Sequence, residues 1–531
     1  MTPPPLIGRF HDQLFRSALY NLTLRARPVM PDIALPIVFS GDAERGRALR
    51  VGDLIKTLKA MGQPAGGEGS GSSPLVHAQR FSWLADLEAS GLETSATVAR
   101  ELTALWVDEH AKWSVTSWAA SILAERLSNW LLYAPFLLDG SDEIFRDAFL
   151  TSLHRQAKHL RRVGGIGVPP EDGFIEAGAE IFYVLMFGRQ PRHLDAGLGR
   201  LAGRIEEEVL ADGGHRSRNP SRHLAAVRNL TTIRAALAMS GQGVPVWLQT
   251  AIDRMAPVLR TFRHGDGGLC LFNGSGPTTR EEVERALHMA DAKGRAVANA
   301  PHSGFQRLTA GQAVVILDTG VMDPVGVGES AGTLAFEFST GRRRIIVNCG
   351  TPTLAPSALR EVCRSSAAHS TLIVEGTNSS ELVGVSTMGA RRAHRTDSTR
   401  HEVDKNTLIE SEHDGYLPLF GLSHRRALYL SADGFDLRGE DTLRGNRPAE
   451  GVLRFHLHPD VGASLVEGGR SVLLRIAKTQ GWRLQVSESG VRLEESVYFG
   501  EGPRRQCQQI VVPIEHSAAS TVLKWRLHRE K

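Results

Sequence analysis

The stretch GTLAFEFSTGRRRIIVNCG, from Gly332 to Gly350, decides the fold class of the C-terminal half of this chain. Its apolar side chains alternate with small or polar ones before a Ser-Thr-Gly segment, and a short β-branched run, Ile345–Val347, follows that segment. A period of two, with aromatic and β-branched residues, is typical of strands that bury one face. The stretch therefore predicts short β-strands that pack against a core.

The same pattern continues through the residues that follow Phe305. Short apolar runs bounded by Gly, Asn and Asp recur in AVVILDTG, STLIVEGTN, RRALYLSADGFDLRGED, VLRFHLHP and QGWRLQVSESGVRLEESVYFG. The tetrapeptides SADG and SESG are expected to form hairpin turns. Because no helical pattern separates these runs, residues 305–531 are predicted to form antiparallel sheets stacked as a β-sandwich.

Residues 75–304 have a different period. Apolar side chains recur there mostly at spacings of three and four, which predicts a succession of helices. Most tryptophans at helical spacing are expected to lie in the core, namely Trp106, Trp113, Trp118 and Trp130. Gly62–Pro74, rich in Gly and Ser, is predicted to be a flexible loop that ends an N-terminal lead-in over residues 1–74. The predicted class is a multidomain protein, all-α followed by all-β.

Composition limits the classes of function. The chain has 531 residues, a formal net charge of +4 and 41% hydrophobic residues, which is ordinary for a globular protein of two or three domains. Its basic residues are spread along the sequence without a recognisable binding module, so no nucleic-acid partner is expected. The N-terminal segment shows no secretory signal pattern, and no run of about 20 apolar residues is present. We therefore expect no membrane span, and export stays open.

A polar segment, DGGHRSRNPSRH from Asp212 to His223, lies in the helical half. Asn219 and Pro220 predict a helix start, with the Asn side chain capping free N–H groups and Pro at the first helical position. The glycines before His215 allow close approach of the backbone, and the histidine precedes a helix N-terminus, where anions are stabilised. By itself, the segment fits a structural or surface histidine better than a catalytic one.

Three further polar clusters follow along the chain. FRHGDGGLCLFNGSGP contains His264, Asp266 and Asn273 among glycines, a composition that a connector between domains would also have. His369 precedes the apolar run STLIVEG between small residues, which predicts an accessible ring at a strand end. The HDGY segment and a histidine downstream could hold a divalent metal or could form a simple turn. The residues of this last cluster are His413, Asp414, Tyr416 and His424.

Taken in order, these segments resemble the heparinase II/III-like family of polysaccharide lyases, from about Trp106 to the end of the chain. The resemblance rests on DGGHRSRNPSRH, RHGDGGLCLFNGSG, AGTLAFEFSTGRRRIIVNCGTP, RSSAAHSTLIVEGTNS, HDGY and HRRALYLS. It implies an incomplete α/α toroid followed by an antiparallel β-sandwich, with a substrate cleft between them. It also implies an acidic, uronic-acid-containing polysaccharide, such as a glycosaminoglycan, as the substrate. The implied location is the cell envelope or periplasm, although the cytoplasm stays open because no signal is visible.

Members of this family cleave their substrate by β-elimination, which makes three demands on an enzyme. The C5 carboxylate must be neutralised, a base must take the neighbouring proton, and an acid must protonate the departing oxygen. The resemblance assigns carboxylate binding and orientation to Asp212–His215 and to Asn219. It makes His369 the leading base or acid, with Tyr416 and His413 as second-tier residues. The residues expected to contact the substrate are Arg218, Arg222, His223 and Asn273. No cofactor is certain, and a structural divalent metal at His413 is an option.

Two departures from the family pattern concern the proton donor. Where relatives often carry a Tyr-His pair at the end of the first motif, this chain has Arg222 and His223. The junction segment around His264 also lacks a tyrosine where a catalytic one is expected. His264 could replace that tyrosine, Tyr416 could reach in from the sandwich, or catalysis could be degraded.

Three hypotheses follow from these residues. The leading one is a lyase that cleaves an acidic polysaccharide. The alternative is a catalytically degraded glycan-binding or cell-envelope protein on the same fold. A glycoside hydrolase would need two facing carboxylic acids, for which Asp212 and Asp266 are the candidates. The oligomeric state is not indicated by the sequence.

Overall fold

The computed structural model describes residues 13–49, 52, 74–164, 173–188, 191–321, 329–352, 356–384, 387–477, 480–517 and 519–530. The predicted flexible loop Gly62–Pro74 lies outside the described residues, apart from Pro74. The chain divides into two compact units, which we call the first and the second unit. The first consists of Met1–Glu208 with Arg228–Ala251, and the second of Val209–Val227 with Ile252–Lys531.

This division differs from the boundary at residues 304 and 305 that the change of period suggests. Residues on the N-terminal side of that boundary belong to the second unit because their polar side chains bond to its strands. Arg344, for example, donates to Asp266 at 2.7 Å. The predicted limits 75–304 and 305–531 therefore separate helical from β-rich sequence. That each range folds as a separate domain stays a prediction.

Helices account for most of the described chain before residue 291. The predicted succession of helices is confirmed, and the four tryptophans expected in the core are at most 9% exposed. The helix Pro220–Met239 begins directly after Asn219, whose Oδ1 accepts the N–H of Arg222 at 3.1 Å, which confirms the predicted helix start. The helices are α1 (Ala18–Thr23), α2 (Ala43–Ala48), α3 (Pro74–Arg80), α4 (Trp83–Ala89), α5 (Ser95–Glu109), α6 (Ala120–Leu132), α7 (Ala134–Leu138), α8 (Glu143–Val163), α9 (Gly173–Phe187), α10 (Pro191–Glu208), α11 (Pro220–Met239), α12 (Val246–Thr261), α13 (Arg280–Ala290), α14 (Ser357–Arg364) and α15 (Leu417–Phe420).

Antiparallel strands form two larger sheets and a small ribbon in the second unit. The strands are β1 (Asn299–Ala300), β2 (Phe305–Ala310), β3 (Ala313–Asp318), β4 (Phe336–Thr340), β5 (Arg343–Val347), β6 (Leu372–Val374), β7 (Leu382–Val383), β8 (Thr387–Met388), β9 (Thr396–Val403), β10 (Asn406–His413), β11 (Ser423–Leu430), β12 (Asp436–Arg444), β13 (Ala449–Leu457), β14 (Gly462–Val466), β15 (Ser471–Ala477), β16 (Gln480–Val486), β17 (Arg492–Tyr498), β18 (Arg505–His516) and β19 (Ser520–Arg529). The first sheet has the order β1-β2-β3-β4-β5-β13-β18-β17, with β6 also paired to β13. The second has the order β14-β15-β16-β19-β12-β11-β10-β9, and β7 pairs with β8.

The two larger sheets face each other across an apolar core. Phe336 of the first sheet stacks on Trp525 of the second, with ring centroids 5.5 Å apart, and Phe338 meets Trp482 edge-on at 5.2 Å. In the second sheet the alternation seen in the sequence is the cause, because every second side chain of β11 and β19 enters the core. The predicted antiparallel sheets are confirmed.

Two details of the predicted sandwich differ. SADG joins the paired strands β11 and β12, as expected, with the N–H of Gly434 donating to the carbonyl of Ser431 at 2.9 Å. SESG is not a hairpin, because β16 lies in the second sheet and β17 in the first, so the segment passes between the sheets. Helix α14 also interrupts the strands, although no helical pattern was expected there.

Gly439 of β12 is required by the packing of the core. A Cβ atom at this position would overlap the indole ring of Trp525, whose Nε1 is held by Asp441 at 2.9 Å. We expect Gly439→Ala to lower the free energy of unfolding by about 1–3 kcal/mol, measured by urea denaturation. Gly199→Ala, at an open position of α10, is the control and should stabilise the protein by up to about 1 kcal/mol. Equal effects of the two substitutions would contradict the packing argument.

Candidate functional site

The segment before helix α11 is a tight turn fastened by Asp212. Its Oδ1 accepts the N–H of Gly214 at 2.9 Å, and its Oδ2 accepts the N–H of Ser303 at 2.7 Å and the N–H of His302 at 2.9 Å. Gly213 adopts φ +89°, a conformation that L-residues rarely take. These bonds engage both oxygens of Asp212 in the turn, which does not favour its use as a catalytic acid.

His215 and His223 form one hydrogen-bonded pair within this segment. The N–H of His215 donates to Nδ1 of His223 at 3.2 Å, and Nε2 of His223 donates to the carbonyl of Met255 at 2.9 Å. Nδ1 of His215 lies 2.8 Å from the hydroxyl of Ser217. Both histidines are buried, and burial lowers the pKa of His223 to about 4. His223 is therefore a neutral, structurally engaged ring at neutral pH, and its contact with a substrate stays a prediction.

Arg218 is the centre of a buried ion pair. Its guanidinium donates to the carboxylate of Asp318, to the carbonyl of Ser303 at 2.9 Å and to the carbonyl of Val321 at 3.1 Å. Nδ2 of Asn273 donates to the other oxygen of Asp318 at 3.2 Å. Arg218 is 5% exposed and Asp318 1% exposed, so each charge depends on the other for compensation.

Asn219 uses both ends of its amide within the chain. Its Nδ2 donates to the carbonyl of Asn273 at 2.8 Å, while its Oδ1 caps helix α11 through the N–H of Arg222. Neutralisation of a uronate carboxylate by this amide would require it to exchange one of these bonds. The structure thus brings together three residues of the predicted site, Arg218, Asn219 and Asn273.

His264 lies in a second buried cluster. Its Nε2 donates to Glu337 at 2.9 Å, and its Nδ1 lies 2.8 Å from the hydroxyl of Ser339. The other oxygen of Glu337 accepts the N–H of Leu271 at 2.9 Å and the N–H of Asn348 at 3.1 Å. Burial lowers the pKa of His264, against the opposing effect of Glu337. Both ring nitrogens are engaged and the side chain is fully buried, which does not favour a role as a proton donor to substrate.

His369 follows a short 3-10 turn, Ser366–Ala368, just before β6. Its Nδ1 donates to the carbonyl of Ser365 at 2.7 Å, which makes Nε2 the acceptor nitrogen of the neutral ring. The expectation of an accessible ring is wrong, because His369 is only 3% exposed. The backbone of Gly332 approaches so closely that a Cβ atom there would lie 2.7 Å from Cδ2 of the ring.

The carboxylates of the Arg218 and His264 clusters act electrostatically on His369. Burial lowers the pKa of His369, whereas the negative charges of Asp318 and Glu337 act in the opposite direction. Asn348 bridges two of the clusters, since its Nδ2 donates to Glu337 at 3.3 Å and its Oδ1 accepts the N–H of Ser370 at 2.9 Å. Sequence reasoning missed Asp318, Glu337 and Asn348. The available signal was a lone carboxylate inside an apolar run, as in LAFEFST and VVILDTG.

His413 belongs to a chain of buried side chains in the second sheet. Its Nδ1 accepts the N–H of Gly415 at 3.1 Å, and its Nε2 lies 3.3 Å from Nδ1 of His424. Nε2 of His424 donates to Asp441 at 2.8 Å. Both nitrogens of His413 are thus engaged. Over the part of the chain that the structure describes, no group of three or more His, Cys, Asp or Glu side chains is arranged to hold a metal ion.

Tyr416 does not reach out of the sandwich. Its hydroxyl donates to the carbonyl of Leu372 at 2.8 Å, and the residue is fully buried beside the ring of His413, with centroids 5.5 Å apart. Burial raises the pKa of Tyr416. The Tyr416 hydroxyl therefore stabilises the contact between β6 and the segment before α15. A secondary role of Tyr416 in catalysis stays a prediction.

Asp266, the second carboxylate considered for hydrolysis, is paired with a cation. Arg344 donates to it from two nitrogens, at 2.7 and 3.2 Å, and the N–H of Gly268 donates at 2.9 Å. Burial opposes ionisation, but Arg344 outweighs burial and lowers the pKa of Asp266. A general acid for glycoside hydrolysis needs a raised pKa, so this geometry does not favour the hydrolase hypothesis.

Arg222 is half-buried, whereas His215, Arg218, Asn219 and His223 of the same motif are buried. Burial and then the nearby positive charge of Arg222 lower the pKa of Arg360. The positive charge of Arg222, at the start of α11, thus acts on the guanidinium of Arg360 on α14. Guanidinium groups placed in this way suit a carboxylate or another anion, which is consistent with the predicted role of Arg222.

A fold of helices followed by antiparallel sheets, with the DGGH segment, His264 and His369 within one unit, matches a known class of proteins. The family model for the heparinase II/III-like C-terminal region matches residues 292–526. The chain belongs to the heparinase II/III-like family.

A curated relative is FtsZ-localized protein C of Caulobacter vibrioides, which is 31% identical over 522 residues, 94% of this chain and 88% of that protein. The crystal structure of heparinase III matches with a TM-score of 0.70 and 15% identity, over 98% of this chain and 89% of that one. Heparan sulfate lyase HepC from Pedobacter heparinus matches with a TM-score of 0.59 and 15% identity, over 92% and 87% of the two chains.

These similarities confirm the predicted fold class, a helical toroid region followed by an antiparallel β-sandwich. At 15% identity the structural matches establish the fold alone. Among the helices in the described ranges, none combines the length and apolar character of a membrane-spanning helix. The catalytic and substrate-binding roles assigned from the sequence stay predictions.

Proposed function

We propose that this protein is a binding component of the bacterial division apparatus, built on a heparinase fold whose acid-base side chains serve structural purposes. The proposed partner is FtsZ or a protein that binds FtsZ. The observation that carries the proposal is the state of the two candidate proton donors. His264 is fully buried with both ring nitrogens engaged, and the hydroxyl of Tyr416 donates to a backbone carbonyl in the core.

β-Elimination needs an acid and a base on the same substrate, so the engagement of both donors weakens the whole reaction. The group proposed to neutralise the uronate carboxylate is engaged as well, since both ends of the Asn219 amide are bonded within the chain. The relative that matches 94% of this chain is named for its association with FtsZ. A protein that binds a partner without catalysis needs the fold but not accessible proton-transfer groups, which agrees with the burial of these side chains.

Lyase activity on an acidic polysaccharide is the second candidate, and His369 favours it. Its Nδ1 donates to the carbonyl of Ser365, so the ring is held in one orientation with Nε2 as an acceptor. A neutral histidine fixed in this way is suited to take a proton. The half-buried Arg222 would then contact the acidic substrate, and binding would have to uncover the ring of His369.

One pair of experiments separates the two candidates. We expect the fluorescently tagged chain to form a midcell band that coincides with FtsZ and disperses when FtsZ is depleted. The purified protein, incubated with heparin, heparan sulfate and alginate, should produce no absorbance from unsaturated uronate.

His369→Ala should leave the midcell band unchanged, and His401→Ala, at an exposed position of β9, is the matched control. Uronate product that disappears in His369→Ala and persists in His401→Ala would establish the lyase instead. A diffuse signal in cells with intact FtsZ rings would contradict the division role.

A further inference from the structure

The outer face of the second sheet contains a groove that none of the predicted site residues lines. The groove has a volume of about 450 Å³ and crosses strands β10, β11, β12, β19 and β16. Side chains alternate along these strands, so Leu428 and Leu430 enter the core while Ala427 and Tyr429 face outward into the groove. The groove is therefore a surface feature of the sandwich, separate from the buried clusters around His264 and His369.

The floor of the groove is apolar. Leu408 and Ala427 face outward on neighbouring strands, and Val486, at the end of β16, borders the groove while it packs against the core. Gly439 also borders the groove, but its missing side chain lies on the core side, where the indole ring of Trp525 packs. A floor of this kind accommodates one large apolar side chain rather than a polar ligand.

The rim of the groove carries excess positive charge. Arg438 and Arg526 share a single carboxylate, Asp436, at 2.6 and 2.8 Å. Lys524 lies 3.7 Å from Glu440, and Arg425 also approaches Glu440, at 3.6 Å. Arg425 pairs more closely with Glu410, so four cations face three carboxylates at this rim. Additional carboxylates from a ligand would complete the neutralisation of this rim.

The aromatic ring in the groove is not placed for stacking against a sugar. The guanidinium carbon of Arg438 lies 5.5 Å from the centroid of the Tyr429 ring and covers that face. The hydroxyl of Tyr429 donates to Asn406 at 2.9 Å. Recognition of a glycan by an open aromatic platform is therefore disfavoured here, whereas an apolar floor with a cationic rim suits a peptide.

We propose that this groove binds an acidic, extended peptide segment of a partner protein. One large apolar side chain of the peptide enters the floor formed by Leu408, Ala427 and Val486, and flanking carboxylates face Lys524 and Arg526. This inference goes beyond the proposed division role and does not depend on it, since it concerns a surface that neither elimination chemistry nor the FtsZ-associated relative assigns.

The test uses the full chain and fluorescein-labelled peptides of about ten residues in which a central Leu or Phe is flanked by Asp and Glu. Fluorescence anisotropy should show saturable binding that weakens with added salt. Replacing the central residue with Ala, or the acidic residues with Lys, should weaken binding about tenfold or more. Equal binding of all these peptides, or binding of none, would overturn the proposal.

Two variants locate the site. Ala427→Trp fills the floor, and Lys524→Glu reverses one rim charge on a side chain that is 69% exposed; each should weaken binding of the acidic peptide about tenfold. The matched control is Arg444→Glu on the same sheet outside the groove, where the side chain is 49% exposed and also pairs with a glutamate. Its affinity should stay within about twofold of the unmodified chain.

Circular dichroism verifies that each variant is folded. Loss of binding in Arg444→Glu to the same extent as in Lys524→Glu would reduce the effect to overall charge and contradict the assignment. Displacement of the peptide by a heparin oligosaccharide, with Ala427→Trp reducing oligosaccharide affinity equally, would assign the groove to an acidic glycan instead of a peptide.

Discussion

Acidification from about pH 7.5 to 4.5 is expected to remove several kcal/mol from the free energy of unfolding of the second unit. The cause is a set of histidines that are buried in the neutral form, and His223 and His456 suffice to set a lower limit of the effect. Burial lowers the pKa of His223 to about 4 and that of His456 to about 3. In the unfolded chain both return to about 6.5. Unfolding therefore takes up protons in this range.

The sign follows from the direction of these shifts. Because the folded pKa values lie below the unfolded ones, the stabilising contribution is complete above pH 6.5 and is lost as the pH falls towards 4. Each histidine makes the free energy of unfolding fall by about 1.4 kcal/mol per pH unit in this interval, or roughly 5 kcal/mol for both over two units. Urea denaturation at a series of pH values, followed by circular dichroism, measures the slope.

The neighbours of each ring explain why a second proton is excluded. Nδ1 of His223 accepts the N–H of His215, so a proton on that nitrogen would face another donor. The ring of His456 donates from Nε2 to the carbonyl of Ala367 at 2.9 Å, and the nearby rings and cations of His369 and Arg454 further disfavour its charge.

A histidine variant tests which side chains take up the protons on unfolding. His456→Gln should reduce the uptake on unfolding by about one proton, whatever its effect on stability at neutral pH. His401→Gln, at an exposed strand position, should leave the slope unchanged. If His456→Gln and His401→Gln have the same slope as the unmodified chain, buried histidines do not account for the acid sensitivity.

The fold was predictable from the sequence where local pattern and packing coincide. Period-two runs became strands because the buried face of a sheet selects alternate apolar residues, and Asn219-Pro220 became a helix start because capping is local. The prediction of a hairpin at SESG is wrong because the composition of a turn does not reveal whether the next strand stays in the same sheet. Pairing between strands depends on contacts that are distant in sequence.

The candidate site was predictable only in part for the same reason. Motif order identified His215, His264 and His369, but their partners are 8, 73 and 4 residues away in the chain. The expectation that small neighbours would expose the ring of His369 failed because Gly332, from another part of the chain, closes over it. Burial is a tertiary property that the local sequence around a histidine does not encode.

The largest effect of a single substitution is expected for Asp318→Ala. It removes the carboxylate that pairs with the buried guanidinium of Arg218, and it also removes acceptors for Asn273 and for the N–H of Gly320. An uncompensated buried cation costs about 3–5 kcal/mol, so the variant should unfold at much lower urea concentration. Arg218 also has φ +55°, a strained value that its side-chain contacts help to maintain.

Two comparisons isolate the ion pair from simple loss of a side chain. Asp397→Ala disrupts the surface pair with Arg395, in which the side chains are 64% and 75% exposed, and should cost less than about 1 kcal/mol. The double variant Arg218→Met with Asp318→Ala should be more stable than Asp318→Ala alone, because no buried charge is left without its partner.

The outcome also decides whether Arg218 is able to bind an anion. A loss below about 1 kcal/mol in Asp318→Ala would mean that Arg218 finds other compensation and that its guanidinium could be released to a substrate carboxylate. A loss of several kcal/mol means that Arg218 cannot exchange its partner without destabilising the fold. In that case the half-buried Arg222, whose positive charge acts on Arg360, is favoured over Arg218 as the group that binds an acidic ligand.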